Sequence, residues 1–361
     1  MTNIMIVVSG TGGHVYPGIA LAHELKQIGF EPVFVVNNNV NAVSVKIVTN
    51  SGFNYELLNF SAPSRKISLN LFLFPFTLLK SLFLSNRLLN KISPKVVVGM
   101  GAYLSFPVLF VAKLKNIPTL IHEQNSFPGL ANRILSKFVD KVAISFIESL
   151  KYFNKSKVID TSNPVRKDIF NISRQDASEK LNLDSEVFTV FVFGGSLGAT
   201  KLNNIMIDVA DKLYQKYQNK IQFIHIVGNK DFDNINRKYK NIKYKKYIAE
   251  YMNDIGNAYA CSDILVCRAG AGTVKEVEMY GLSAIFIPYP YATDNHQYFN
   301  AKSIEEKGFR EIIEEKDLTE KTIIEFIEKN INNTIIDKKR VILPQVYPQE
   351  KLAQEVIKLI K

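Results

Sequence analysis

The chain has 361 residues, of which 47% are apolar and 22% are charged, a size and composition that predict two globular domains and exclude a disordered or fibrous protein. Only two cysteines are present, Cys261 and Cys267, which excludes a disulfide framework and is typical of the reducing cytoplasm. Of the net charge of +11, residues 1–162 carry +9 and residues 163–361 carry +2, so we expect the first half to meet an anionic partner such as nucleic acid, an acidic membrane surface or a phosphorylated substrate.

The most informative motif stands at the beginning of the chain, where an apolar strand over residues 4–8 runs into a glycine-rich turn over residues 9–14. A strand that ends in such a turn and continues as a helix brings backbone N–H groups close to a phosphate or a sugar. The pattern predicts that helix over residues 15–28, with His14 at its start. Because the helix dipole disfavours a positive ring there, we expect a neutral imidazole, which makes His14 a candidate general base.

A nicotinamide-dinucleotide site is the alternative interpretation of this turn. Its fingerprint needs a third glycine, but Val15 stands at that position after Gly10 and Gly12. The acidic residue that binds the ribose of such a cofactor is also missing, because the second predicted strand, residues 32–36, runs into three asparagines. The sequence therefore disfavours a dehydrogenase.

An unusually apolar segment follows at residues 67–89. Pro75 is expected to interrupt it, and only 13 residues separate Lys66 from Lys80, so the segment is too short to span a bilayer. Beyond Pro75 we expect an amphipathic helix, typical of a core helix but also of a helix that docks on an anionic membrane. Its apolar face would hold Leu78, Leu79, Leu82, Phe83 and Leu89, and its polar face Thr77, Lys80, Ser81, Arg87 and Lys91. The candidates for membrane contact are Arg65, Lys66, Phe72, Phe74, Phe76, Leu79, Lys80, Phe83 and Arg87.

Strands and helices then alternate, which predicts a parallel sheet whose ligands bind at the carboxyl ends of the strands. Two predicted strand ends carry polar motifs, at residues 99–101 and at residues 122–125. His122 and Glu123 are neighbours on a strand and point to opposite sides, so a metal pair is not expected. The predicted strands cover residues 96–99, 119–122, 141–144 and 157–160.

The second half repeats this organisation. A buried strand over residues 188–193 ends in a second glycine-rich turn, residues 194–199, and a helix follows. Two similar α/β domains with a cleft between them are therefore expected, joined by a hinge at Asn163 and Pro164. The Asp-x-Asp motif at residues 231–233 lies in a polar stretch with no predicted strand before it, so we do not expect it to bind a metal.

A third glycine-rich turn, residues 269–272, follows Arg268 and opens a helix that carries Thr273 and Glu276. Amides at a helix N-terminus together with an arginine suit a phosphate, and a carboxylate one turn into the helix suits the paired hydroxyls of a ribose. The alternative is a capping box, in which Thr273 and Glu276 only satisfy the start of the helix. The loop at residues 288–301 has the amides and hydroxyls typical of a sugar-binding surface.

Together these motifs resemble the MurG family of glycosyltransferases, and they follow in family order over nearly the whole chain. The resemblance implies an α/β fold of the B type, with two Rossmann-like domains facing a cleft. Residues 1–162 would bind the acceptor and face the membrane, residues 163–340 would bind the nucleotide-sugar donor, and a C-terminal helix over residues 341–361 would pack back on the first domain. The matching stretches are residues 10–14, 99–101, 122–125, 163–166, 194–198, 267–276 and 297–300.

The resemblance implies the inverting transfer of N-acetylglucosamine from UDP-N-acetylglucosamine to the C4 hydroxyl of N-acetylmuramic acid in lipid I, which is undecaprenyl-pyrophosphoryl-N-acetylmuramyl-peptide. The product would be lipid II, a precursor of peptidoglycan. No cofactor and no metal would be needed, and the enzyme would be peripheral at the cytoplasmic face of the plasma (inner) membrane. The expected partners are thus UDP-N-acetylglucosamine, lipid I and an anionic membrane surface, and no nucleic acid.

By the same resemblance His14 would be the catalytic base, Glu276 would bind the ribose, and backbone groups near Met252 would bind the uracil. Two positions depart from the family pattern, because Leu197 and His296 stand where glutamines are usual. A leucine side chain cannot hydrogen-bond a ligand, whereas a histidine still can. The implied donor-binding residues are Thr11, Gly12, Gly13, Asn125, Arg166, Ser196, Met252, Arg268, Thr273, Glu276, Gln297 and Asn300.

Two rival functions stay open at the level of sequence. Another B-type UDP-sugar enzyme, such as a 2-epimerase or a different glycosyltransferase, would share the donor half but not the apolar and basic acceptor half. A nucleic-acid-binding protein would use the tyrosines and lysines of residues 237–246. That run is more typical of a solvated helix and loop, because the half that contains it has a small net charge.

Overall fold

The computed structural model describes residues 2–10, 12–37, 43–60, 69–195, 198–240, 242–305, 310–332 and 343–360. The chain forms two compact units, one of Met1–Arg166 with Gln345–Lys361 and one of Lys167–Pro344. Each unit is built on a parallel sheet with helices between its strands. The predicted α/β class with two Rossmann-like domains is confirmed.

The described part of the first unit contains a seven-stranded parallel sheet with the strand order β3-β2-β1-β4-β5-β6-β7. Its strands are β1 Thr2–Val8, β2 Phe30–Val36, β3 Asn54–Leu57, β4 Val96–Gly99, β5 Thr119–Glu123, β6 Lys141–Ile144 and β7 Val158–Asp160. Its helices before residue 166 are α1 Gly12–Gln27, α2 Val43–Asn50, α3 Leu69–Ile92, α4 Ser105–Leu114 and α5 Leu130–Leu135.

The central strand β1 explains why the first unit has a core on both faces of its sheet. Ile4, Ile6 and Val8 are buried in one hydrophobic cluster, and Met5 and Val7 are buried in another. Successive side chains of a strand point to opposite faces, so a continuous apolar run is what a sheet covered on both sides requires. The apolar opening of the chain is therefore core, and it carries the glycine-rich turn at its carboxyl end.

Helix α3 is continuous from Leu69 to Ile92, so the predicted interruption at Pro75 is wrong. Proline fixes φ near the helical value and removes one backbone donor. The loss of one donor leaves the other backbone hydrogen bonds of this 24-residue helix, so α3 continues on both sides of Pro75. In the described part of the chain, none of the helices combines the length and the apolar character needed to cross a membrane.

The two predicted faces of α3 are also wrong in part. Ser81 is buried together with Ser85, whereas Leu79 and Phe83 are exposed. The Ser81 and Ser85 hydroxyls donate to the carbonyl oxygens of Thr77 and Ser81 at 2.8 and 2.7 Å. Because each hydroxyl bonds back to its own helix, the serines can be buried without water. Leu79 and Phe83 therefore stand on the outer face of α3, whereas Leu78, Leu82 and Leu89 pack toward the core.

The described part of the second unit contains a six-stranded parallel sheet with the order β10-β9-β8-β11-β12-β13. Its strands are β8 Phe188–Phe193, β9 Ile221–Ile226, β10 Lys246–Ala249, β11 Ile264–Cys267, β12 Ser283–Phe286 and β13 Arg310–Ile312. Its helices are α6 Arg174–Lys180, α7 Thr200–Tyr217, α8 Phe232–Tyr239, α9 Ile255–Cys261, α10 Ala271–Tyr280, α11 His296–Lys302 and α12 Glu320–Asn332.

The last helix, α13 Pro348–Lys358, belongs to the first unit. Leu352, Ala353 and Val356 are buried in the same cluster as the inward side chains of α1. The Val165 backbone N–H donates to the side-chain oxygen of Gln349 at 3.3 Å. The end of the chain therefore completes the core of the unit in which the chain begins.

Candidate active site

His14 lies in the first turn of α1, which begins at Gly12 and thus earlier than the predicted residue 15. The side chain is half-buried. Its Nδ1 atom lies 3.0 Å from Oε1 of Gln124, which follows the last residue of β5. The candidate base is thus held by a side chain of the 122–125 motif, and the two motifs meet at the carboxyl edge of the sheet.

Gly101 makes this contact possible. Its φ of +83° lies in the left-handed region, which favours glycine. A Cβ atom at this position would lie 3.0 Å from Nδ1 of His14 and 3.1 Å from Oε1 of Gln124, closer than ordinary van der Waals contact. The glycine that follows β4 therefore leaves room for the hydrogen bond between His14 and Gln124.

His122 and Glu123 point to opposite sides of β5, as predicted. The His122 ring is buried, with Nε2 at 3.1 Å from the Ser162 carbonyl oxygen. Burial lowers its pKa from 6.5 to about 4, so the ring is neutral at physiological pH. In the described part of the chain, no group of three or more His, Cys, Asp or Glu side chains is placed to hold a metal ion.

Glu123 organises the loop that follows β5. Its carboxylate accepts hydrogen bonds from the Asn125 backbone N–H at 2.9 Å, the Gly129 N–H at 3.1 Å and the Asn132 side chain at 2.8 Å. Burial raises the pKa of Glu123, and these hydrogen bonds oppose the rise. The same carboxylate accepts from the Asn125 side-chain amide at 3.3 Å, so Glu123 holds this predicted substrate-binding residue on both its backbone and its side chain.

The remaining predicted substrate-binding residues of the first unit surround the start of α1. Arg166 lies with its guanidinium 5.1 Å from the ring centroid of Tyr16. A Cβ atom on Gly12 would lie 3.0 Å from the same ring, whereas Gly13 faces open space. Thr11 lies outside the described residues.

The glycine turn of the second unit is closely packed. Gly195 and Gly198 have φ values of +82° and +77°. A Cβ atom on Gly198 would lie 2.5 Å from the Val227 carbonyl oxygen, a distance that only glycine allows. The predicted residue Ser196, and Leu197 beside it, lie outside the described residues. The turn therefore sits directly against the end of β9.

Glu276 is held by a buried tyrosine rather than by a capping box. Helix α10 has Gly270 at its N-cap, without a side-chain cap hydrogen bond, so Thr273 lies inside the helix and the capping alternative is wrong. The Tyr259 hydroxyl donates to Glu276 Oε2 at 2.8 Å. The Tyr259 ring stacks on Tyr280 with 5.1 Å between centroids. One carboxylate oxygen thus has a fixed position on a half-buried side chain.

Two predicted residues of α11 hold the third glycine-rich turn. The Gln297 side-chain oxygen accepts from the backbone N–H groups of Ala269 and Tyr289 at 3.3 and 2.9 Å. The Asn300 side-chain amide donates to the Ala269 carbonyl oxygen at 3.3 Å. Both side chains therefore position the backbone at the start of α10. The other predicted residue of this unit, Met252, is half-buried in the loop after β10.

Arg268 is engaged by protein groups on two sides. Its Nη1 donates to the carbonyl oxygens of Ile287 and Pro288 at 3.1 and 3.2 Å, and its Nη2 pairs with Glu315. The side chain is buried and lies over the ring of Tyr289. Arg268 thus anchors the chain after β12, and its predicted place near a pyrophosphate stays a prediction.

Two positioning side chains, Gln124 and Tyr259, carry no assigned role at the level of sequence. Gln124 has a weak signal, because it lies two residues after His122 and so shares its side of the strand. Tyr259 has none, because its contact joins two helices, α9 and α10, that meet only through packing.

The outer face of α3 forms what we call the α3 apolar surface: Phe76, Leu79 and Phe83, which are 71%, 64% and 62% exposed. Lys80 and Arg87 are exposed beside them, and the Arg87 guanidinium lies 6.0 Å from the Phe83 ring centroid. Of the other candidates for membrane contact, Phe74 is half-buried against Phe60, Phe72 lies in α3, and Arg65 and Lys66 lie outside the described residues.

Comparison with known proteins adds to this geometry. Residues 4–144 match the glycosyltransferase family 28 N-terminal domain, and residues 189–341 match the family 28 C-terminal domain. A UDP-N-acetylglucosamine–N-acetylmuramyl-(pentapeptide) pyrophosphoryl-undecaprenol N-acetylglucosamine transferase of Thermoanaerobacter sp. (strain X514) is 36% identical over 98% of this chain and 97% of its own length. The enzyme of the same name from Thermodesulfovibrio yellowstonii is 33% identical over 99% of this chain and 97% of its own length.

Solved structures share the fold. MurG of Acinetobacter baumannii superposes with a TM-score of 0.75 at 24% identity, over 99% of this chain and 100% of that chain. UDP-GlcNAc 2-epimerase from Neisseria meningitidis gives a TM-score of 0.68 at 11% identity, over 99% of both chains. The 2-epimerase likeness concerns the fold alone, whereas the sequence relatives bear out the predicted resemblance over the full length. The chain belongs to glycosyltransferase family 28, and it is a glycosyltransferase of the MurG family.

Proposed function

We propose that the protein transfers N-acetylglucosamine from UDP-N-acetylglucosamine to the C4 hydroxyl of N-acetylmuramic acid in lipid I, with inversion at the anomeric carbon, to form lipid II. The observation that carries this proposal is full-length similarity: 36% identity over 98% of the chain to a transferase of that name. The protein would thus supply the disaccharide precursor of peptidoglycan.

His14 acts as the base in this proposal. The acceptor C4 oxygen forms a bond with the anomeric carbon while the bond from that carbon to the diphosphate oxygen breaks. The hydroxyl proton passes to His14, and UDP leaves with the electron pair of the broken bond. Support comes from the half-buried ring, which is hydrogen-bonded to Gln124 on its Nδ1 side and can accept a proton on the other.

The second unit binds the nucleotide in this proposal. Glu276, fixed by Tyr259, accepts hydrogen bonds from the ribose hydroxyls, because a carboxylate is a strong acceptor for paired donors. The glycine turn before α7 presents backbone amides to the diphosphate as negative charge grows there. Arg166 or Arg268 gives electrostatic support to the leaving group in this proposal. We propose that no metal or other cofactor takes part.

The proposed location is peripheral, at the cytoplasmic face of the plasma membrane. The α3 apolar surface supports this, because exposed phenylalanine and leucine side chains next to Lys80 and Arg87 suit the boundary between acyl chains and anionic headgroups. The acceptor carries an undecaprenyl chain, so an enzyme that uses it must reach a bilayer surface. The net charge of +9 in residues 1–162 favours an anionic surface.

The transfer reaction is tested with purified protein, radiolabelled UDP-N-acetylglucosamine and a lipid I analogue, in the presence of a metal chelator. We expect labelled disaccharide that depends on the acceptor. Label that instead accumulates in a UDP-sugar inverted at C2, without any need for acceptor, would support the 2-epimerase alternative. Activity that appears only when the chelator is omitted would contradict the metal-free part of the proposal.

Membrane docking is tested by co-sedimentation with phosphatidylglycerol vesicles and phosphatidylcholine vesicles. We expect binding to the anionic vesicles, and loss of most of it in the triple variant Phe76→Ser, Leu79→Ser, Phe83→Ser. Ile28→Ser is the matched control, because Ile28 is an exposed apolar residue of the same unit outside α3. Equal binding of the triple variant and the wild type would remove α3 from the docking surface.

A further inference from the structure

A chain of hydrogen bonds runs from the Ser162 carbonyl through His122 and Gln124 to His14. We propose that Gln124 is a positioning residue that fixes the tautomer of His14, with the proton on Nδ1 and the lone pair on Nε2. The inference rests on the proposed function, in which His14 is the base. It goes beyond that function because it names the ring nitrogen that takes the proton and the residue that selects it.

The hydrogen-bond partners of the Gln124 amide fix its orientation. Its Nε2 lies 3.0 Å from the Met100 carbonyl oxygen, which can only accept a hydrogen bond. The amide nitrogen must therefore face Met100, and the amide oxygen must face His14. An amide oxygen also can only accept, so the His14 Nδ1 atom, 3.0 Å away, carries the hydrogen.

The His122 ring opposes a flip of the Gln124 amide. Its Nε2 faces the Ser162 carbonyl oxygen at 3.1 Å and therefore carries the proton of the neutral ring. Its Nδ1 then has a lone pair, which accepts the second hydrogen of the Gln124 amide at 3.1 Å. A flipped amide would set its oxygen against two acceptors, the Met100 carbonyl and His122 Nδ1.

The chemical consequence concerns the protonated state of the base. In the fixed tautomer the C4 hydroxyl proton can only be taken up at Nε2. The resulting imidazolium keeps its Nδ1–H hydrogen bond to Gln124, so it is stabilised without any movement of the ring. In Ser-His-Asp triads a carboxylate stabilises the imidazolium through this hydrogen bond. Here the neutral amide of Gln124 would do so.

The tautomer can be read directly by NMR, without reference to activity. Two-bond 1H–15N correlation spectra of the uniformly 15N-labelled protein would show the ring nitrogens of the five histidines, and His14→Phe identifies the His14 signal. We expect a protonated Nδ1 and an unprotonated Nε2 in the wild type, and a mixture of tautomers in Gln124→Met. A protonated Nε2 in the wild type, or an unchanged His14 pattern in Gln124→Met, would overturn the inference.

A pair of glycine variants tests the same contact where Gln124→Met fails to fold. Gly101→Ala places a methyl group against the atoms of the His14–Gln124 hydrogen bond, and Gly29→Ala is its matched control. Gly29 has a similar φ of +91° but nothing within 4 Å of an added Cβ. We expect kcat to fall at least tenfold in Gly101→Ala, with the donor KM within about twofold, and to stay near the wild-type value in Gly29→Ala. An equal loss in both variants would assign the effect to backbone strain and overturn the inference.

Gln124→Glu separates a positioning role from a purely structural one. The new carboxylate still accepts from His14 Nδ1–H and adds a negative charge, which favours the protonated ring. We expect part of the kcat lost in Gln124→Met to return, and the acidic limb of the kcat/KM profile to move to higher pH. An unmoved limb would contradict the contact between this residue and the base. If the wild type has no transferase activity, the proposed function fails while the NMR experiment still decides the tautomer.

Discussion

Each unit buries one neutral histidine on an interior strand, but the two rings support different groups. His122 of the first unit connects through Gln124 to the candidate base. His225 of the second unit, on β9, lies 2.8 Å from the Tyr239 hydroxyl and 3.0 Å from the Asn203 side-chain oxygen. Burial lowers the pKa of His225 from 6.5 to about 3, so this ring is neutral as well.

The two hydrogen-bond chains end on different kinds of group. The Asn203 amide donates to the Val227 carbonyl oxygen at 2.9 Å, the same oxygen that lies against Gly198. The chain in the second unit therefore supports a glycine turn, whereas the chain in the first unit ends on a side chain that can take a proton. A neutral imidazole donates on one side and accepts on the other, so each chain has a fixed direction. We accordingly expect first-unit variants to change kcat and second-unit variants to change donor binding or stability.

The largest expected effect belongs to the base itself. His14→Ala should lower kcat by about 10²- to 10⁴-fold, the usual contribution of a positioned general base. The measurement is steady-state disaccharide formation with saturating lipid I analogue. His23→Ala is the matched control, since His23 is exposed on the same helix and its ring packs edge-on against Phe53. A kcat for His14→Ala within threefold of the control would remove His14 from the chemistry.

The ion pair between the buried Arg268 and the half-buried Glu315 gives the next effect. Arg268→Ala leaves the Glu315 carboxylate and two carbonyl oxygens without their donor, so the free energy of unfolding should fall by about 3 kcal/mol. Urea denaturation measures this change. Lys321→Ala is the comparison, because its pair with Glu325 is exposed and should contribute little. Unchanged stability in Arg268→Ala, together with a weakened affinity for UDP, would show that this arginine serves the ligand rather than the fold.

Removal of the proposed ribose ligand should act on donor binding. Glu276→Ala should raise the donor KM by about 10- to 100-fold, since hydrogen bonds to a charged group contribute about 1.5–3 kcal/mol. Tyr259→Phe removes only the hydroxyl that orients Glu276, and we expect an increase of about fivefold. Both values come from initial rates at varied UDP-N-acetylglucosamine. An effect of Tyr259→Phe as large as that of Glu276→Ala would mean that the tyrosine shapes the fold of the second unit instead.

The smallest effect is a dependence of stability on pH. His122 and His225 have pKa values of about 4 and about 3 when folded and 6.5 as reference, so the unfolded chain binds protons first as pH falls. The part of the unfolding free energy that depends on these two neutral rings is present above pH 6.5. It is lost as the pH falls from there toward the folded pKa values. Between pH 7 and pH 6 each ring should remove about 0.7 kcal/mol of unfolding free energy. Urea midpoints at the two pH values test this, and His225→Gln should flatten the slope; an unaltered slope would contradict it.

The strands and the glycine turns could be predicted from the sequence because local patterns determine them. A continuous apolar run such as residues 4–8, followed by a glycine-rich turn, is typical of a strand buried on both faces, and Gly101 and Gly198 stand where a side chain would collide with its neighbours. The predicted strand over residues 96–99 coincides with β4. The functional residues, in contrast, are predicted together from the resemblance to a family.

Contacts between distant elements could not be predicted in this way. Ser81 and Ser85 are polar in sequence yet buried, because their hydroxyls bond back to the helix. The hydrogen bond of Tyr259 to Glu276 and the ion pair of Arg268 depend on how helices and loops pack, which no local period records. Thr11, Arg65, Lys66 and Ser196 lie outside the described residues, and their predicted roles stay predictions.

The division of work between the units is tested most directly by the affinity for UDP, measured by isothermal titration calorimetry in His14→Ala and Glu276→Ala. The nucleotide should bind His14→Ala within about twofold of the wild-type Kd and should bind Glu276→Ala at least tenfold more weakly. If the affinity for UDP is instead lost in His14→Ala and unchanged in Glu276→Ala, the result contradicts the assignment of the base to the first unit and of the nucleotide to the second.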